Sequence, residues 1–359
     1  MDKKTAGKPE PHGKRINAKR LAEDLDVSIS TISRAFNKEA VIAPETRSKI
    51  LNYADQLGYR PNPFAQSLIT QKSRIVGIIV SHLENPFYPE ALRGLSEALR
   101  EAGWHLMLFT VPSGETPDDI LPLAISYQPE FVIVMAVTIS SQSQEVAERA
   151  GTKLIYFNRR DPDSSTFYVV CDNAHGGGMI ADHFIDTGCR RLAYIAGFQN
   201  ASTTLDRWRG FRDRCIARGF PDVWREEGYS FSYEAGYRAA IRLMNRSPRP
   251  DAVFCASDII ALGCIEAVRI EFGLRVPEDV SVAGLDNIEM AAWPSHSLTT
   301  YSQPLAKMIG ATVKLIEEIS IGAESETVAW QIKGDIIVRK STRPPTGGKR
   351  SGALPDMPA

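Results

Sequence analysis

Hydrophobic and polar positions along this chain follow two textures, with the change at Ile75. Before it, three short stretches carry apolar residues at helical spacing. Ala18, Leu21, Ala22 and Leu25 run i, i+3, i+4, i+7, with Asn17 placed to cap them. Asp26, a residue tolerant of turn conformations, separates them from Val27–Asn37, V-S-I-S-T-I-S-R-A-F-N. There Ser28 is the predicted N-cap, Val27 and Ile32 are spaced as a hydrophobic staple, and Ile32, Ala35 and Phe36 share the inward face. A third helix begins at Pro44, turns Ile50, Leu51, Ala54 and Leu57 inward and ends at Gly58. Two short amphipathic helices joined by so tight a turn are a helix-turn-helix signature, although Val27–Asn37 by itself reads as an ordinary surface helix. Pro61 and Pro63 then interrupt the pattern. Phe64–Ile69 offers one or two helical turns, too few to persist without a partner chain or DNA.

From Ile75 onward, continuous apolar runs alternate with amphipathic segments. The predicted strands are Ile75–Val80, Leu106–Thr110, Phe131–Met135, Leu154–Phe157, Leu192–Ala196, Ala252–Cys255 and Val280–Gly284. The predicted helices include Glu90–Glu101, Ala174–Asp186, Thr203–Arg218, Tyr233–Asn245 and Ile259–Phe272. Unbroken apolar strands between helices imply parallel sheets covered on both faces. The stretch is long for one such sheet, so two consecutive α/β subdomains are expected, with a seam near Asp172–Gly178. A leader over residues 1–15 and a Pro/Gly/Ser-rich tail over 344–359 are expected to be disordered.

Charge changes this picture more than composition does. The 359 residues carry a net charge of −1, but residues 1–74 hold 14 Lys and Arg against 8 Asp and Glu, a net of +6. The remainder is −7. A basic head on an acidic body predicts a polyanion partner for the head alone. Five cysteines, an odd number with no C-x-x-C pair, argue against a disulfide framework or structural zinc and predict buried thiols in a reducing cytosol. The polar N-terminus predicts no signal peptide, and no apolar run reaches membrane-spanning length. The expectation is a cytoplasmic protein without a cofactor.

The outward face of Val27–Asn37 centres on Ser30 and Arg34, with Ile29, Thr31 and Ser33 at its edges; a small-polar face with one arginine suits the floor of the DNA major groove. The run His175-Gly176-Gly177-Gly178 lacks the Lys-Ser/Thr of a phosphate loop and is expected to ease a crossover-to-helix junction instead. No G-x-x-x-x-G-K-[ST], strand-following G-x-G-x-x-G or H-E-x-x-H motif supports an enzyme, and the basic head argues against a pure sugar-transport component.

The segments V-S-I-S-T-I-S-R-A-F-N, P-E-T-R-S-K-I at Pro44–Ile50 and L-G-Y-R-P-N at Leu57–Asn62 resemble the headpiece of the lac repressor/galactose repressor (LacI/GalR) family of bacterial regulators. A-Q-S-L at Ala65–Leu68, N-P-F-Y at Asn85–Tyr88, A-S-D-I-I-A-L-G at Ala256–Gly263, V-P-E-D-V-S-V-A-G-L-D at Val276–Asp286 and I-I-V-R-K-S-T at Ile336–Thr342 continue in the same order. The resemblance runs over roughly residues 17–343. It implies an all-α helix-turn-helix headpiece over 16–60, a hinge helix over 61–74 and an α/β periplasmic-binding-protein-like core over 75–343, built of two doubly wound subdomains. The N-subdomain would hold about 75–173 and 302–325. The C-subdomain would hold about 174–301 and 326–343, including a final strand near Val328–Val338.

Carried over by position, the resemblance makes Ile29, Ser30 and Arg34 base readers and Thr31, Ser33, Asn37 and Tyr59 phosphate contacts. Leu68 would wedge between bases at the operator centre, with Ala65 beside it in the minor groove. Phe87, Tyr88, Asn158, Arg207, Phe231, Ser257, Asp286 and Gln303 would contact a small effector, a sugar or sugar derivative, between the subdomains. The partners implied are a pseudopalindromic double-stranded operator and a second copy of the chain, with a dimer face near residues 84–101. Three positions depart from the family pattern: Asp26 stands for a turn glycine, Ser30 for an alanine and Ala43 for a serine cap, the last at a cost of about 1 kcal/mol.

Overall fold

The structure, a computed structural model, describes residues 16–36, 40–60, 72–112, 114–161, 166–322 and 329–344. It divides into two units, residues 1–73 and 74–359, taken separately below.

In the first unit, α1 (Ala18–Leu25), α2 (Ile29–Phe36) and α3 (Pro44–Gln56) enclose a small core of Leu21, Ala22, Ile32, Ala35, Ile50, Ala54 and Tyr59. Asn17 caps α1, accepting from the Arg20 N–H at 3.0 Å. Asp26 then takes the left-handed conformation at φ 53, which a short polar side chain tolerates where most others do not. Ser28 Oγ accepts from the Thr31 N–H at 3.1 Å, which starts α2. Ala43 makes no side-chain cap, as its methyl must. Arg47 reaches back from α3 instead, donating to the carbonyls of Ala40 (2.7 Å) and Ala35 (3.3 Å) and so binding α3 to the end of α2. Leu51, expected inward, is exposed, because Ile50 and Ala54 already fill the face of α3 that meets α1 and α2.

The second unit contains two six-stranded sheets. The first is built from β1 (Ile75–Val80), β2 (His105–Thr110), β3 (Phe131–Met135), β4 (Lys153–Phe157), β5 (Phe167–Cys171) and β11 (Ala329–Ile332), in the order β11-β5-β4-β3-β1-β2 and parallel throughout. The second is built from β6 (Leu192–Ala196), β7 (Trp224–Glu227), β8 (Ala252–Cys255), β9 (Ser281–Asp286), β10 (Thr299–Ser302) and β12 (Asp335–Ile337), in the order β12-β10-β9-β8-β6-β7, with only β12 antiparallel. The two sheets are the α/β subdomains that the alternating pattern predicts. Among their helices, α4 (Phe87–Glu101), α7 (Asn173–Asp186), α8 (Ser202–Ala217), α9 (Tyr233–Met244) and α10 (Asp258–Ile270) match expected segments. Two others, α5 (Pro117–Ser126) and α6 (Ser141–Arg149), do not, since α6 buries only Ala147 and α5 carries Pro122 inside it. The last, α11 (Leu305–Ser320), packs on α4, where Gly94 makes room for Ile309.

The chain passes between the sheets at Asp172, at Gln303 and at Lys333–Gly334. The final strand expected as one piece near 328–338 in the second subdomain is therefore two strands, and residues 329–332 belong to the first sheet. Its break is built in. The Gly334 N–H donates to the Tyr301 hydroxyl at 2.6 Å, and a Cβ at Gly334 would stand 2.0 Å from the Ser302 carbonyl. Asp172 and Ile332 are joined by a backbone hydrogen bond of 2.8 Å, so two crossing strands touch where they pass.

The glycine run lies within the first turns of α7 and has a packing role. A Cβ on Gly176 would meet the Tyr301 ring at 2.8 Å, and one on Gly177 would meet the Arg207 carbonyl oxygen at 2.3 Å. The missing side chains let α8 lie directly on α7. Gly177→Ala should cost about 1–3 kcal/mol by forcing the two helices apart, read as a lower urea midpoint for the core; an unchanged midpoint would show that α8 can give way freely.

Candidate functional site

On the first unit, α2 presents Ile29, Ser30 and Arg34 outward, with Ile29 51% exposed. Thr31 and Ser33 are half-buried at the edges. Ser28 Oγ lies 2.7 Å from Ser30 Oγ and 2.8 Å from Thr31 Oγ1, so the cap residue also holds both neighbouring hydroxyls. Among the described residues Arg34 bonds only its own helix, Nε to the Ser30 carbonyl at 3.4 Å, and its side chain is exposed. Tyr59 is largely buried, its ring edge-on to Phe36 at 5.7 Å, and burial pushes its phenol pKa up. It is a core residue of the headpiece. Asn37, Ala65 and Leu68 lie outside the described residues.

On the second unit, the ends of strands from both sheets converge on one polar chain. Arg207, on α8 and 2% exposed, donates from Nε to Asn173 Oδ1 (2.8 Å), from Nη1 to the Ala256 carbonyl and from Nη2 to Asp286 Oδ1 (3.3 Å). Asp286 Oδ1 also accepts from Gln303 Nε2 at 2.7 Å. Gln303 Oε1 accepts from Asn158 Nδ2 at 2.9 Å, and Asn158 Oδ1 accepts weakly from the Tyr88 hydroxyl at 3.5 Å. Asn158 and Tyr88 come from the first sheet's side, Arg207 and Asp286 from the second's, and Gln303 sits in a crossing. Asn158, just past β4, and Asp286, the last residue of β9, take φ 70 and φ 139, conformations that L residues rarely adopt.

The other expected residues surround this chain. Phe87 stands edge-on to Tyr88 at 5.4 Å. Phe231 occupies the space that Gly197 leaves at the end of β6, where a Cβ would lie 2.5 Å from its ring. Ser257 is fully buried, and its Oγ has no partner among the described residues. An open hollow of about 510 Å³ lies between the start of α4 and the loop after β9, lined by Pro86, Pro89, Glu90, Arg93, Asn287 and Glu289.

Sequence reasoning missed Arg159, Phe198 and Asn173. The Arg159 guanidinium lies over the rings of Phe231 (5.4 Å) and Phe198 (5.8 Å), and Phe198 in turn meets His82 at 4.8 Å. Its signal was present: Asn158-Arg159-Arg160 is a polar cluster at the carboxyl end of an apolar run, where open α/β sheets bind ligands. Among the described residues, no group of three His, Cys, Asp or Glu could hold a metal. All five cysteines are buried and unpaired, and burial pushes Cys171 and Cys215 up to about 12, so they are inert thiols. No described helix is long and apolar enough to cross a membrane.

Family models match this arrangement in both units. Residues 19–62 match the lacI family of bacterial regulatory proteins, and residues 181–342 match a periplasmic binding protein-like domain. The HTH-type transcriptional regulator CelR of Thermobifida fusca is 30% identical over 336 residues, covering 91% of this chain and 98% of that protein. The HTH-type repressor PurR of Photobacterium profundum is 29% identical over 329 residues, covering 90% and 98%. The chain belongs to the lacI family. It is a DNA-binding transcriptional regulator with an effector-binding core, and not an enzyme. A lac repressor dimer bound to operator and the anti-inducer ONPF has the same fold, with a TM-score of 0.81 at 22% identity over 92% of this chain and 99% of that one. A solved CelR–cellobiose complex gives a TM-score of 0.68 at 28% identity, over 91% and 100%.

In this lacI-family core, the acids of the cleft are strongly perturbed. Burial pushes Asp286 up to about 6 against the pull of Arg207 and Gln303. Asp258 lies behind Gly284, accepting from Thr300 Oγ1 (2.6 Å) and the Ile288 N–H (3.0 Å); burial, reinforced by the charge of Asp286, pushes it up to about 7. A carboxyl raised in the folded state favours folding fully below its unfolded pKa of about 3.9, and loses that contribution as pH rises through about 7. Asp258→Asn cannot titrate. Melting curves should therefore show wild type losing ground to the variant as pH rises from about 4 to about 8. A difference constant across that range would mean that Asp258 is ionised throughout.

Proposed function

We propose that this regulator binds a pseudopalindromic operator as a homodimer, each headpiece reading one half-site, and represses transcription under control of a small carbohydrate-like effector in the core cleft. The observation that carries the reading is the polar chain Tyr88–Asn158–Gln303–Asp286–Arg207. Its members satisfy one another across two subdomains, so a ligand rich in hydroxyls can replace those bonds one for one and change how the sheets sit against each other. Phe87, Tyr88 and Phe231 add aromatic faces suited to the C–H side of a sugar ring, and a CelR relative solved with cellobiose is consistent with that chemistry.

The homodimer is supported by the edge strand β2, whose Leu108 is 48% exposed, beside the charged outer face of α4, and by the dimeric state of the lac repressor structure. On the headpiece, Arg34 is the side chain free to donate a bidentate pair to guanine, whereas the hydroxyls of Ser30 and Thr31 are already engaged with Ser28. A regulator of this kind acts in the cytoplasm, where the operator is.

Two measurements test the DNA reading. Selection from random duplexes should enrich a pseudopalindrome, and Arg34→Ala should relax preference at one position of each half-site by about 1–3 kcal/mol while leaving dimerisation unchanged. Equal weakening on every sequence would make Arg34 a phosphate contact. Affinity for the selected site should also fall steeply between low and physiological salt, as expected when several phosphates are neutralised; a flat response would argue against operator binding by the basic head.

A further inference from the structure

The charges that face the cleft are not balanced. Arg207 is answered by Asp286, and each of its three nitrogens already donates within the protein. Arg160 is answered by Asp206 at 3.2 Å, and His82 by Glu84 at 3.1 Å. Arg159 stands between these groups and is different. It is 7% exposed, its Nε has no hydrogen-bond partner, and no carboxylate among the described residues lies within ion-pair distance of it. Its closest company is the rings of Phe198 and Phe231 and the Tyr88 phenol, which lies within hydrogen-bonding reach of the guanidinium and whose pKa burial raises and Arg159 pulls back. Aromatic faces attract a cation but carry no net charge to cancel it.

A guanidinium withdrawn from water without a counter-charge costs far more than one that is paired, and folds retain such a group where something else completes it. We propose that the effector is an anion, and that Arg159 seats its carboxylate or phosphate between the two subdomains. The planar fork of an arginine matches both groups in a bidentate geometry that a single hydroxyl cannot fill. Ser257, just past the end of β8, likewise keeps a fully buried hydroxyl that has no partner among the described residues. The neutral chain around Asn158 and Gln303 would then take the hydroxyls, making an acidic sugar, such as an aldonate, uronate or sugar phosphate, the matching class. Because Arg159 belongs to the first sheet's side and both phenylalanines to the second's, neutralising it changes an interaction that spans the cleft.

This rests on the cleft being the effector site, so the test separates the two claims. Full-length protein would be titrated calorimetrically with matched sets of glucose, galactose and mannose, their aldonates and uronates, and their 6-phosphates. An acidic member should bind at least about tenfold more tightly than its neutral parent, and Arg159→Met should weaken that acid by about tenfold to a hundredfold while changing the neutral sugar less than about threefold. Arg159→Lys, which keeps the charge but not the fork, should recover part of the loss. Without ligand, Arg159→Met should melt no lower than wild type; a clear drop would make Arg159 a structural clasp and overturn the proposal. A neutral sugar binding as tightly as its acid would leave the cleft as a carbohydrate site and overturn the anion. If no sugar binds, inorganic phosphate decides: protection of wild type but not of Arg159→Met keeps the anion seat and removes the carbohydrate, and equal protection of both overturns the seat as well.

Discussion

The core is organised around one buried carboxylate. Asp286 ends β9 in a backbone conformation that L residues avoid, and it is held there by Arg207 from its own subdomain and Gln303 from a crossing strand. Remove either donor and a charge with almost no exposure loses its compensation, the most expensive kind of vacancy in a protein interior. That constraint reaches outward in both directions. Through Gln303 and Asn158 it ties the second sheet to the first, and through Arg207 it depends on α8 lying close against α7, which the absence of a side chain at Gly177 permits.

The three crossings tie the two sheets together beside this site. All three pass side by side, joined by the Asp172–Ile332 backbone bond and by Tyr301, whose hydroxyl accepts from Gly334 and lies 3.2 Å from His175 Nδ1. The crossings are thus a short, well-satisfied strip, and the polar chain lies beside it at the strand ends.

The headpiece divides its short sequence between packing and the outward face proposed to read DNA. Ile32 and Ala35 of α2 join Leu21, Ile50 and Tyr59 in the core, which leaves Ile29, Ser30 and Arg34 on the outer face by helical geometry alone. Where the usual serine cap is missing before α3, Arg47 fastens the helix from within. Packing and the proposed reading do not compete, because they fall on opposite faces of a helix of eight residues.

Much of this was legible in the sequence. The three headpiece helices, the Asp26 turn, most of the buried strands and the alternation that makes two parallel sheets all follow from local spacing and cap chemistry, which depend on neighbours within a few residues. The polar edge strand Trp224–Glu227 and the helix Ser141–Arg149 escaped because they bury too little to leave a periodic trace. Tertiary structure alone decided the rest. It split 329–337 between two sheets, placed Tyr59 in the core, brought Tyr88, Asn158, Gln303, Asp286 and Arg207 into one chain across sequence separations of up to 145 residues, and left Arg159 without a counter-charge. Periodicity records which face of an element is buried; which charge meets which is a property of the assembled fold.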